Sequence, residues 1–448
     1  MEKCDCMELE REIIKQMLQW KESTDRKPLI IQGARQIGKT WVMQKFGELY
    51  YEHVAYFNFD ASEELCQEFE HTKDPVRLLG ILKLYTNQPI MPEKTLLIFD
   101  EIQQSNKALN SLKYFCEFAP QYHVMAAGSL LGASLSKGDS FPVGKVDFLR
   151  MYPLSFREFL HADSLPMYEW LESMDAIDVL PEIVMGKLSE SYRRYLICGG
   201  MPAAVKALLE GRGVEEVEKI QKAILTAYTL DFAKHAPAKD IPRISAIWDS
   251  IPSQLSRENR KFLYKLVKNG ARAREYEDAL LWLQHAGLLY RIFCTTKPGL
   301  PISAYDDVSA FKIYLCDVGL LRAMSGLPIS IFWTDSLLYK EFKGALTENM
   351  VLQSLVLNFD IQPRYWTSSG TAEIDFLLQY GTELVPIEVK AGISFNGKSL
   401  GVYNQRYHPR IAVRYSMANL NKDGSVLNVP LFLADWTEKF LRIWNDSQ

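Results

Sequence analysis

Residues Gly33 to Thr40 read GARQIGKT and follow the short apolar run Leu29-Ile30-Ile31. No other stretch narrows the fold as far. It satisfies G-x-x-x-x-G-K-[ST] in full, and each fixed position has a physical role. The glycines let the chain wrap back on itself and aim backbone N–H groups at phosphate oxygens. The helix that follows adds the positive end of its dipole. Lys39 is spaced to reach the β and γ phosphates, and the Thr40 hydroxyl to bind Mg2+. Gly33, Ala34, Arg35, Gln36, Ile37, Gly38, Lys39 and Thr40 are therefore the first candidate site, and the loop demands a strand before it and a helix after it.

The surrounding sequence supplies that frame. Apolar strands are expected at 53–60 (HVAYFNFD), 95–101 (TLLIFDE) and 123–129 (HVMAAGS), with helical spacing between them, as in 106–119, and before them, at 7–22. Strands of continuous apolar character alternating with helices indicate a parallel sheet covered on both faces, an α/β fold. Asp100-Glu101 ends the third strand. Standing alone, such a pair also reads as a helix N-cap. Beside a phosphate loop, Asp100 is placed to hold Mg2+ and Glu101 to orient and activate a water. Ser129, at the end of the next strand, either senses a γ-phosphate or sits in a plain turn.

At 448 residues the chain is too long for one ordinary core, and two to four domains are expected. The net charge of -4 gives no overall attraction to nucleic acid or membrane, so any such surface must be local. Seven cysteines at irregular spacing, only Cys4 and Cys6 close together and with no histidine nearby, speak against zinc and for a reducing compartment. The charged N-terminus does not read as a signal peptide. No apolar run reaches the length of a membrane span. A cytoplasmic protein is the expectation.

Beyond residue 150 the pattern turns helical to about 240, broken at CGGMPAAV (198–205). Residues 254–275 hold Arg257, Arg260, Lys261, Lys265, Lys268, Arg272 and Arg274 against Glu258 and Glu275. A helix ending at Gly287 and a strand follow, the outline of a winged helix. The basic stretch reads equally as a contact to DNA phosphates or as a solvated helix face.

Taken together, GARQIGKT, IFDEIQ, AAGSLLGASL, YPLSFREFL, YLICGGMPAAV, YLCDVGLL and GALTENMVLQSL resemble the prokaryotic AAA+ ATPases that carry a C-terminal domain of uncharacterised function. The resemblance covers essentially the whole chain. It implies ATP and Mg2+ as ligands, a tendency to form homo-oligomers, and four parts: a P-loop NTPase (AAA+) core over 1–150, a helical lid over 151–240, a winged-helix-like segment over 241–335, and a small α/β restriction-endonuclease-like domain over 336–448. The family usually has arginine where Lys145 stands, so Lys145, Arg150 and Arg157 all remain candidates for a catalytic cation and read equally as surface salt-bridge partners.

The last domain contains EIDFLLQYGTELVPIEVKAG (373–392), two arms around a turn. With the turn centred between Gly381 and Thr382, Asp375 lies opposite Glu388 and Glu373 opposite Lys390, all on one face. Facing carboxylates repel, and a divalent cation would neutralise them. Asp followed by Glu-x-Lys on the next strand is the PD-(D/E)XK nuclease pattern, with Glu348 matching an additional carboxylate. The candidate second site is thus Asp375, Glu388, Lys390 and Glu348 around Mg2+ or Mn2+. Against it stands an ordinary charged hairpin face with a surface ion pair. Two functions follow: ATP-driven nucleic-acid processing, or an ATP-dependent switch whose C-terminal domain is a non-catalytic docking module.

Overall fold

A computed structural model describes residues 7–128, 142–257, 260–333, 340–368, 370–393 and 398–446. They divide into two compact units. One comprises 11–152 with 281–288. The other comprises 7–10, 153–280 and 289–446.

The first unit is a five-stranded sheet in the order β2-β3-β4-β1-β5, every pair parallel. The strands are β1 (Leu29–Gln32), β2 (His53–Asn58), β3 (Thr95–Asp100), β4 (His123–Gly128) and β5 (Asp147–Arg150). The helices are α1 (Ile13–Glu22), α2 (Lys39–Tyr50), α3 (Glu63–His71), α4 (Pro75–Thr86) and α5 (Asn106–Phe118). β3 and β4 are buried along their whole length, which is why they lack apolar–polar alternation. Phe57, Phe59, Phe69 and Phe115 meet Phe99 edge-on at 5.6–5.9 Å and anchor the core. Helix starts follow local chemistry. Ser62, Asp74 and Ser105 each accept a backbone N–H at the start of α3, α4 and α5, and Pro75 occupies the first turn of α4.

Two strands end earlier than their apolar runs predict. After Asn58 the chain turns, because the Asn58 side chain accepts the N–H groups of Asp60 and Ala61. After Asp100, Glu101 adopts a left-handed conformation (φ 51°), incompatible with strand. α1 starts at Ile13, later than the apolar spacing from residue 7 suggests.

The second unit begins with helices α6 (Phe156–Asp163), α7 (Leu165–Ser173), α8 (Glu182–Cys198), α9 (Pro202–Leu209), α10 (Val214–His235), α11 (Ile241–Leu255), α12 (Tyr264–Val267) and α13 (Ala273–His285), the last turn of α13 belonging to the first unit. Strands β6 (Leu289–Thr295) and β7 (Asp306–Leu315) follow, then α14 (Val318–Met324) and α15 (Lys340–Asn358). The remainder holds β8 (Arg364–Thr367), β9 (Glu373–Tyr380), β10 (Glu383–Val389), α16 (Lys398–Tyr407), β11 (Ala412–Ser416), β12 (Asn421–Asp423), β13 (Val426–Pro430) and α17 (Thr437–Asp446).

YPLSFREFL, CGGMP and CDVGLL prove to be packing motifs. Ser155 and Glu158 form a reciprocal capping box at the start of α6. Asp317, fully buried, caps α14 through Leu320 N–H (2.8 Å) and also accepts Gly200 N–H (2.6 Å). A Cβ on Gly200 would lie 2.0 Å from the Leu154 carbonyl oxygen, and one on Gly319 2.5 Å from the Cys198 backbone. Three segments thus close on one point with no room for a side chain.

The eight strands β6–β13 form one mixed sheet in the order β12-β13-β11-β10-β9-β8-β6-β7. The parallel β6–β8 pairing, Cys294 with Tyr365 and Thr295 with Trp366, merges the expected winged-helix strands into the sheet of the expected nuclease-like domain. Residues 153–280 and 289–446 belong to one compact unit.

Candidate functional site

The phosphate loop lies between β1 and α2. Gly33 (φ 152°), Gln36 (φ 64°) and Gly38 (φ 93°) take positive φ and fold the chain back. Gly33 has a second reason to be glycine: a Cβ there would sit 2.3 Å from the Met151 carbonyl oxygen. Arg11 ties the loop down by donating to the Ile37 and Tyr152 carbonyls (2.9 and 2.7 Å). Lys39 opens α2, is buried, and donates to the Gly33 and Ala34 carbonyls at 2.9 and 2.7 Å. Burial lowers its pKa to about 8, against the opposing pull of Glu101 and Asp100.

Parallel pairing brings Asn58, Asp100, Gly128, Gln32 and Arg150 to the C-terminal edge of this sheet, where α/β folds bind ligands. Asp100 is buried, and its Oδ2 accepts the Thr40 hydroxyl at 2.7 Å and the Tyr56 hydroxyl at 2.9 Å. Burial first, then the Asp100 charge, keeps the Tyr56 phenol well above its ordinary range. A hydroxyl and a carboxylate oxygen converging beside a lysine suit a hard cation such as Mg2+, which Thr40 and Asp100 would hold. Glu101 is half-buried, and its carboxylate accepts the Gln103 side-chain amide. Ser129 lies outside the described residues.

The C-terminal candidates sit within the eight-stranded sheet and on α15. β9 and β10 pair in the register counted from the sequence, Ile387 with Phe376 and Glu383 with Tyr380, and the next step sets Asp375 opposite Glu388. Each carboxylate already has a protein partner. Glu348, buried, pairs with Arg260 and accepts the Tyr314 hydroxyl at 3.2 Å. Glu373 pairs at 2.5 Å with Lys312, which is fully buried. Glu388 lies 3.0 Å from Lys390 and 3.7 Å from the Arg414 guanidinium. Asp375 accepts the Val389 N–H at 2.8 Å. Burial pushes Glu348 up, but Arg260 and Lys312 outweigh it and hold the group below the usual carboxylate range. Burial, then the Glu348 charge, raises the Asp375 carboxyl above the usual carboxylate range. Among the described residues no group of three or more His, Cys, Asp or Glu is arranged to hold a metal ion. Positive charge beside these carboxylates comes from Arg260, Lys312, Lys390 and Arg414, and the buried Glu388 Oε2 has no hydrogen-bond partner among the described residues.

This changes the basic stretch as well. Arg260 is withdrawn from the surface by Glu348, while Lys261, Lys265, Lys268, Arg272 and Arg274 are exposed around α12 and the start of α13. The three cations considered for catalysis also separate. Lys145 pairs with Glu117 (3.0 Å) and Arg157 bonds Glu172 through two nitrogens (2.8 and 2.6 Å). Arg150 ends β5, exposed, with no ion pair among the described residues.

Comparison with known proteins bears on the first unit most directly. Residues 25–160 match the family model described as AAA domain. With the loop and the strand order, that decides the assignment. Residues 25–160 are an AAA-type domain. Residues 189–330 and 343–432 match two domains of unknown function, DUF8612 and DUF4143. An uncharacterized protein of Haemophilus influenzae is 25% identical over 205 residues, which span 43% of this chain and 44% of the relative's length. Among solved structures, the Thermotoga maritima RuvB Holliday junction branch migration motor is 13% identical with a TM-score of 0.31, covering 63% of this chain and 90% of RuvB. AMPPCP-bound DnaA from Aquifex aeolicus is 13% identical (TM-score 0.28; 61% and 85% covered). Aeropyrum pernix ORC1 in complex with DNA is 12% identical (TM-score 0.27; 72% and 93% covered). The P-loop fold of the first unit rests on its all-parallel sheet and the phosphate loop after β1.

In the AAA domain the sequence pointed to Lys39, Thr40, Asp100 and Glu101, and the structure brings these together. It missed Arg11 and Tyr56. Neither lies in a motif, and only the long-range contacts to Ile37 and Asp100 reveal them. The five described cysteines are free, and Cys4 and Cys6 lie outside the described residues. No helix among the described residues is long and apolar enough to cross a membrane.

Proposed function

We propose that the AAA domain binds and hydrolyses ATP with Mg2+ and that the chain couples this cycle to nucleic-acid binding. The observation that carries the first half is the Thr40–Asp100 contact at 2.7 Å next to the buried Lys39. In this reading the loop amides and Lys39 hold the β and γ phosphates, and Thr40 and Asp100 hold the metal, which offsets phosphate charge. Glu101 orients the attacking water, and Ser129 contacts the γ-phosphate. Nucleic-acid phosphates are met by Lys261, Lys265, Lys268, Arg272 and Arg274 on a winged-helix-like arrangement of α11, α12, α13, β6 and β7. ATP turnover is the decisive measurement: Lys39→Ala removes the phosphate contact, and undiminished turnover in that variant would sink the reading. A duplex oligonucleotide tests the second half. Affinity should fall steeply with salt and drop further when Lys265, Lys268 and Arg272 are replaced by alanine.

The nuclease-like reading assigns Asp375, Glu388, Lys390 and Glu348 to a second metal. The ion pairs of these residues favour the other reading, in which ATP changes the state of a C-terminal docking module that does not cut. Incubation with duplex DNA, ATP and Mg2+ or Mn2+ separates them. Cleavage that Asp375→Ala abolishes would overturn the docking reading.

A further inference from the structure

The short segment 281–288, far downstream of the phosphate loop in sequence, belongs to the same compact unit as that loop. It contains the last turn of α13 and the glycine that ends it. Gly287 (φ +73°) closes the helix with a paired set of bonds: its own N–H reaches the Gln284 carbonyl (3.0 Å), and the Leu288 N–H reaches that of Leu283 (3.0 Å). The motif alone accounts for a glycine, but this one has a second constraint. A Cβ at position 287 would lie 3.1 Å from the Ala34 backbone nitrogen, 3.5 Å from the Gly33 carbonyl carbon and 3.7 Å from the Ala34 Cα. These are atoms of the phosphate loop.

We infer that Gly287 is a positioning residue for the nucleotide site: its missing side chain lets the end of α13 close on Gly33 and Ala34 and sets where the Ala34 amide stands. Amides of such a loop bind phosphate through their fixed positions, so a displacement of a few tenths of an ångström reaches the ligand directly. Gly33 is confined in the same way by the Met151 carbonyl, and Ile37 by Arg11. The helix that Gly287 terminates starts at Ala273, beside the exposed Arg272 and Arg274. The inference rests on the proposed ATP site for the identity of the ligand.

The chain contains its own control. α14 ends in the same motif at Gly326 (φ +68°), with Gly326 N–H to Ala323 (3.1 Å) and Leu327 N–H to Arg322 (3.4 Å), but a Cβ there meets nothing within 4 Å. Gly287→Ala and Gly326→Ala therefore carry a similar backbone cost, since each places a Cβ at positive φ, and only the first touches the loop. In the full chain, both variants should melt at similarly lowered temperatures. Gly287→Ala should weaken binding of a fluorescent ADP analogue about tenfold or more, while Gly326→Ala stays at the wild-type value. Hydrogen exchange of the 33–40 peptide without nucleotide should rise in the first variant alone. Equal nucleotide affinity and equal exchange in the two variants would overturn the inference. A wild-type chain that binds no nucleotide would instead remove the ATP reading, and the exchange difference would still decide the role of Gly287. If Gly287→Ala does not fold, Gly287→Asn keeps the Cβ in a residue that tolerates the left-handed region.

Discussion

Burial brings the Lys39 ammonium down to about 8, and its hydrogen bonds among the described residues go to the Gly33 and Ala34 carbonyls of its own loop. Phosphate oxygens favour the charged form and raise the value again. Nucleotide binding above pH 8 must then take up a proton. Calorimetry in buffers of different ionisation enthalpy should show uptake approaching one proton near pH 9 and fading toward pH 7. Affinity should weaken as pH rises through 8. An uptake that is unchanged in Lys39→Met would show that another group is responsible. The stability of the free protein moves the other way. The folded state holds this proton less tightly than the unfolded chain, so stability rises between about pH 8 and the unfolded value near 10.4. The motif made Lys39 legible as a phosphate ligand, because eight contiguous residues define it. Its depressed pKa was not legible, since it depends on contacts that only the folded chain assembles.

At the scale of elements, the hairpin shows the same boundary. The β9–β10 register could be counted because a tight turn at Gly381 (φ 58°) fixes it locally. The neutralising cations could not be found that way, because Lys312 lies on β7 and Arg260 precedes α12, each distant in sequence from the carboxylates. Lys312→Met should leave Glu373, Glu348 and Asp375 short of a buried positive charge and cost about 3–5 kcal/mol of stability. The double variant Lys312→Met/Glu373→Gln should recover part of that loss, as read by urea titration. Mn2+ should leave the melting temperature of the wild-type chain, without nucleotide, unchanged at this centre. A rise that disappears in Asp375→Asn would mean that a metal displaces the ion pairs. The glycine motifs at 199–200 and 319 were visible in the sequence as family markers. Their reason, three segments closing on Asp317, needed the structure.

For the whole molecule, the exposed edge of the AAA sheet bears on how many copies act together. β5 is an edge strand of the AAA sheet, and Phe148 and Arg150, two residues apart and so on one side, are both exposed. Lys145 and Arg157 are engaged by Glu117 and Glu172. Arg150 is thus the cation best placed to act on a neighbouring copy's nucleotide if the chain assembles as a homo-oligomer. Arg150→Ala should then bind ATP normally but lose about a thousandfold in kcat, the scale on which an arginine supplied in trans contributes. Wild-type specific activity should climb with protein concentration. The sharpest test mixes two dead variants. Lys39→Ala cannot hold ATP but keeps Arg150, whereas Arg150→Ala holds ATP and lacks the cation. In a shared assembly the first completes the site of the second, so the mixture should regain turnover that neither shows alone. If the mixture stays inactive at concentrations where wild type is fully active, Arg150 acts within its own chain or not at all.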